Sequence, residues 1–136
     1  MKRMRIGLGL ALAAGAVAHA QVPYGGDRAI ARAETAAKAA SFACEAELKA
    51  KLKVGGKGAP ACERYHTAVL RAMTLEGRRL AWCQTEFASE ASNIRVPDSC
   101  LGQKQADLRV DTVESLERKR APAAWRKFDQ AMARLP

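Results

Sequence analysis

Neither glycine nor proline occurs between Arg28 and Lys53, and this constrains the fold more than any other feature. Alanine, the strongest helix former, dominates the stretch. Ile30, Ala33, Ala37, Ala40, Cys44, Leu48 and Leu52 recur at steps of three and four residues, which lays an apolar stripe along one long helix. Asp27 is placed to cap its start, and Gly55-Gly56 to end it, because glycine adopts left-handed angles without steric cost. On the polar side Glu34 precedes Lys38, Glu45 precedes Lys49 and Glu47 precedes Lys51 by four residues. Pairs so arranged support a helix by about 0.2 to 0.5 kcal/mol each.

Pro60 suits the first position of a second helix, where its missing amide donor is not needed. The spacing predicts a helix to about Ser92, with Cys62, Tyr65, Val69, Met73, Leu80, Cys83 and Phe87 as a core seam and Leu75 with Trp82 on a neighbouring face. Two apolar faces make it the central helix. Gly77 interrupts it at about 1 kcal/mol relative to alanine, which reads as a close crossing or slight kink. Asn93 to Ser99, with Pro97, is a loop. Cys100, Leu101, Leu108, Thr112 and Leu116 then form a weaker stripe on a third helix that ends before Pro122. Trp125, Phe128, Met132 and Leu135 mark a short fourth one. No strand pattern is visible. The expected fold is all-α: an antiparallel bundle of three longer helices and a short C-terminal one, because short connections favour antiparallel neighbours.

The N-terminus carries an address. Lys2, Arg3 and Arg5 precede the apolar run Ile6 to Ala18, and Ala18-His19-Ala20 supplies the small-x-small pattern of a signal peptidase site. The run is shorter than the roughly 20 residues a membrane span requires. The reading is a cleaved secretory signal over 1–20, a flexible leader over 21–26 containing Pro23, Gly25 and Gly26, and one helical domain over 27–136. The expected location is a bacterial periplasm or the medium. Cleavage removes three cations from a chain whose formal charge is +9, and the remainder stays basic.

Cys44, Cys62, Cys83 and Cys100 all fall after that cleavage site, in a chain bound for an oxidising compartment, so two disulfides are expected. In an antiparallel bundle, Cys83 near the end of the second helix and Cys100 at the start of the third lie within roughly 5 Å of one height. Cys44 and Cys62 flank the first turn with a mismatch of roughly 12 Å, which closes if the first helix ends early. Joining Cys62 to Cys83 or Cys100 would span most of a helix. The pairing predicted is Cys44 with Cys62 and Cys83 with Cys100. No C-x-x-C occurs, which argues against a zinc centre or a thiol redox motif, and no cofactor is expected.

Catalytic chemistry has few candidates. His66 is the one histidine after the signal, and a partly buried helical histidine is the simpler account of it. No G-x-S-x-G elbow or S-x-x-K motif is present. Glu86 and Glu90 read as a solvated helix face, and Gly55-Gly56-Lys57-Gly58 follows a helix where a phosphate loop follows a strand.

The remaining signal is positive charge. Lys49, Lys51, Lys53 and Lys57 gather at the first turn; Arg118, Lys119, Arg120, Arg126 and Lys127 gather around the Pro122 bend. The second cluster is the candidate contact for an anionic partner, such as lipid or lipopolysaccharide head groups, a cell-wall polymer or an acidic protein. Nucleic acid is disfavoured by the export signal and by the lack of aromatics interleaved with the cations. The expected function is an exported, non-enzymatic interaction protein that binds or inhibits an envelope or secreted component. An immunity or stress factor is the alternative, and an enzyme using His66 with a nearby carboxylate is a third.

Overall fold

In a computed structural model the chain is described over residues 22–50, 59–87, 98–101 and 106–136. The expected signal segment lies outside these residues, as do Lys51, Lys53, Lys57 and Glu90. Four α-helices, α1 (Asp27–Ala50), α2 (Pro60–Phe87), α3 (Val110–Arg120) and α4 (Pro122–Ala133), and a 3₁₀ turn at Asp98–Cys100 make up the described regular structure. The fold is the all-α bundle the periodicity implies, and both disulfides join the expected pairs. Cys44 is bonded to Cys62 with Cα atoms 4.4 Å apart, and Cys83 to Cys100 with Cα atoms 5.6 Å apart.

α1 and α2 pack as an antiparallel hairpin. The α1 stripe is buried at Ile30, Ala33, Ala37, Ser41, Cys44 and Leu48. From α2, Cys62, Tyr65 and Val69 meet it, and Val113 of α3 with Trp125 and Phe128 of α4 complete the core. Alanine at positions 33 and 37 lets the two long helices approach closely, while the large side chains come from α2 and α4. Glu47 does not face water as the charge pattern suggests. Its Oε2 accepts the amide of Ala61 at 2.7 Å, satisfying a donor in the first turn of α2 that has no intrahelical partner.

Several expectations need correction. Asp27 is the first helical residue, and the Gly26 carbonyl accepts the amides of Ala29 and Ile30. Tyr24, read as part of a flexible leader, is buried, with its ring edge-on to Trp82 at 5.8 Å. Met73 and Leu80 are exposed rather than continuing the α2 seam, because the core contributed by α3 and α4 gathers around the first half of α2. The third helix does not begin at Cys100. Cys100 sits in the 3₁₀ turn, and α3 has only 11 residues because Arg109 holds a left-handed backbone, φ 55°, that cannot propagate a helix. Its buried positions are Val113 and Glu117, not the stripe through Thr112. The bundle is therefore two long helices and two short ones. Ala121 joins the short pair: its amide bonds to Glu117 O at 2.7 Å, and its carbonyl accepts the Trp125 amide at 3.1 Å.

Candidate functional site

Three places concentrate chemistry. The first is built around His66, which α2 presents toward α3 and α4. Its Nε2 lies 2.8 Å from Glu117 Oε1 and 2.9 Å from Oε2, and its ring stacks on Phe128 at 4.3 Å with planes 10° apart. The Glu117 side chain is fully buried, and that of His66 is 13% exposed. On its own helix His66 has only Glu63 at helical spacing, three residues before it; the fold supplies Glu117 from α3 instead. Val113 and Glu117, four residues apart on one face, were the available signal, masked because a glutamate reads as solvated. The imidazole can give one proton to the carboxylate, so Glu117 Oε1 is left without a hydrogen bond, as is Trp125 Nε1 nearby in sequence on α4.

Cys44 Sγ, Cys62 Sγ and a Glu117 oxygen lie within 4.8 Å of one another. As a disulfide, the two sulfurs are not the thiolates that bind metals. The group is therefore a packing feature of the oxidised chain. Tyr65 completes this region: its hydroxyl donates to Leu108 O at 2.8 Å, and burial, with the Glu117 charge adding to it, pushes the phenol well above its ordinary value.

The second place joins α1 to the segment before α3. Arg109 Nη2 lies 2.6 Å from Glu45 Oε2, its Nη1 donates to Ser41 Oγ at 3.3 Å, and its guanidinium covers the Phe42 ring at 3.8 Å. Lys49 adds a second cation 2.6 Å from Glu45. Hydrogen bonds from Lys49 and Arg109 hold the Glu45 carboxyl below its ordinary value. Glu34, expected to pair with Lys38, instead feels Glu76 across the hairpin. Burial and then that like charge raise its pKa, against Arg79. Lys38 reaches Asp107 at 3.9 Å. Arg79 is buried, lies 2.7 Å from Glu76 and donates to the Ser99 carbonyl beside the Cys83–Cys100 bond. These arginines fasten helices.

The third place is the exposed positive charge. At the bend, Arg118 is paired with Glu114 at 2.6 Å and Arg120 is half-buried and engaged. Of the five candidate contacts only Lys119, Arg126 and Lys127 are exposed without an ion pair among the described residues. A separate face carries Arg32 on α1 with Arg64 and Arg71 on α2, all exposed and likewise unpaired. They line a shallow groove of about 840 Å³ floored by Ala29, Ala33 and Ala68. Nothing in the sequence reading singled these out, although Arg64, Arg71 and Arg78 recur every seventh residue. His66 lines neither this groove nor the cleft of about 900 Å³ between α2 and the start of α3.

Compared with known proteins, the chain matches no family model, no curated protein and no solved structure. Its functional reading rests on its own residues.

Proposed function

We propose that the protein is an exported, non-enzymatic helical interaction module of the bacterial envelope that binds an anionic component. The observation that carries this reading is the set of exposed cations left without acidic partners: Lys119, Arg126 and Lys127 at the bend, and Arg32, Arg64 and Arg71 on the hairpin. Internal arginines such as Arg79 and Arg109 are neutralised by Glu76 and Glu45, whereas these six outward cations have no ion pair among the described residues. No described helix is long and apolar enough to cross a membrane, and the two disulfides suit an oxidising compartment.

Retention of oxidised 21–136 on immobilised heparin, a polyanion probe, tests the reading. Exposed charges are screened as the Debye length falls from about 10 Å at 0.1 M salt to about 3 Å at 1 M. The parent should bind at low salt and elute as salt rises, and joint Gln substitution of Lys119, Arg126 and Lys127 should lower the eluting salt. No retention of the parent at low salt overturns the proposal. Intact mass of the exported protein should begin at Gln21.

A second reading is favoured by the 2.8 Å contact between His66 and Glu117, which resembles the oriented base of a catalytic dyad. His66→Gln separates the two, because the glutamine amide can still donate to Glu117 but cannot shuttle a proton. The variant should keep heparin retention; loss of a measured turnover in it would favour the enzyme.

A further inference from the structure

The groove between α1 and α2 is built from one face of each helix. On α1 it is lined by Ala29, Arg32, Ala33 and Ala36, and on α2 by Pro60, Glu63, Arg64, Thr67, Ala68 and Arg71. These positions recur at three- and four-residue steps, so each set shares a continuous strip along its helix. The flank of α1 that meets the start of α3, through Lys38, Ser41 and Glu45, and the His66 side of α2 lie away from this seam. α3 and α4 thus cover one side of the hairpin and leave the other open. The alanine floor lets a third backbone come close, and the arginines border the seam as flanking charges do in coiled coils. Arg64 and Arg71 stand two turns, roughly 10 Å, apart along α2.

Charge selects the occupant. Arg32, Arg64 and Arg71 face one acid in the groove, Glu63. Among the residues of the sequence outside the described ones only Glu90 is acidic, so none of those stretches complements the arginines. A second copy docked about a two-fold axis would set the same arginines against each other. Building on the anionic-partner reading above, we infer that the α1–α2 groove docks an amphipathic α-helix of a partner protein, with small residues facing the alanine floor and acidic residues at heptad spacing against Arg64 and Arg71. Arg32 on the opposite wall holds the other flank of that helix. Such docking is the helix-in-groove mode of peptide recognition, with Coulombic complementarity setting register.

The test uses two synthetic peptides of roughly 20 residues, long enough to exceed the groove, with oxidised 21–136. One is alanine-based with glutamate at both flanking positions of each heptad; the other has the same composition scrambled out of period. The periodic peptide should bind at low salt, and the scrambled one at least about fivefold more weakly, a difference of about 1 kcal/mol. Arg64→Glu with Arg71→Glu should abolish that binding and create binding of a lysine counterpart of the periodic peptide. Both positions are exposed, so the fold should survive, which circular dichroism checks. If the double variant does not fold, Arg64→Gln with Arg71→Gln takes its place and should weaken binding about fivefold. Equal binding of the two peptides, no binding of the periodic one, or an indifferent charge-altered variant overturns the inference. Heparin retention that depends on Arg64 and Arg71 while the peptides bind alike would assign the groove to a flexible polyanion and also overturn it. Loss of the broader reading looks different, because the parent would then not be retained by heparin at all.

Discussion

Glu117 has no exposed surface and takes its hydrogen bond from His66, so the two residues stand or fall together. Taking a carboxylate out of water costs several kcal/mol, and the attraction of its partner offsets that only while the partner is present. His66→Ala should therefore destabilise the protein by about 3 to 5 kcal/mol, read as a lower urea midpoint, and also lose the stacking on Phe128. Changing both residues to leucine should recover most of that loss, because no buried charge is left unpaired. A double variant as unstable as His66→Ala would show that packing around Phe128, not the unpaired carboxylate, sets the cost. Glu45 behaves differently. Lys49 and Arg109 favour its charged form, so its contribution to stability is present above the ordinary carboxylate pKa and is lost as pH falls through the depressed value. The stability gap between parent and Glu45→Gln should be open at neutral pH and close in acid. A gap that widens in acid would contradict the assigned partners.

At the scale of elements, what was legible followed a local rule. Three- and four-residue apolar steps located α1, α2 and α4, and Pro122 with the preceding cations marked the α3–α4 boundary. The start of α3 was not legible, because the left-handed Arg109 is stabilised by contacts with Glu45, Ser41 and Phe42 that are distant in sequence. Among the clustered cations Arg118 is paired, and its partner Glu114 stands four residues before it, the spacing that identifies the pairs on α1. The sequence suggests a close crossing or slight kink at Gly77, and the structure shows no close crossing there. A Cβ there would meet the Pro136 carbonyl oxygen at 3.6 Å, an ordinary contact. Gly77→Ala should accordingly stabilise the protein by about 1 kcal/mol through helix propensity and reduced freedom of the unfolded chain. A thermal melt that drops in this variant would show that the C-terminus needs the open space.

Over the whole molecule, the two disulfides enclose nearly equal lengths of chain, with sequence separations of 18 and 17. Loop-closure entropy therefore gives them nearly the same share, on the order of 3 kcal/mol each. Their surroundings differ. Cys44 and Cys62 are fully buried in the core, beside Glu117; Cys83 and Cys100 are half-buried near the surface turn that Arg79 also holds. Replacing Cys44 and Cys62 by alanine removes two sulfur atoms from a closely packed centre and adds a cavity cost to the entropic one. It also loosens the site where α1 and α2 enclose the Glu117 carboxylate. Replacing Cys83 and Cys100 removes the tether, while the Arg79 bond to Ser99 still fastens the turn. Because loop length is matched, any difference between the two paired variants reports burial and not chain entropy. The Cys44→Ala, Cys62→Ala variant should be the less stable by more than about 1 kcal/mol in denaturant unfolding. Equal losses would mean that both bonds act only as tethers on the unfolded chain, and a larger loss for the surface pair would place the weak point of the bundle at the 3₁₀ turn.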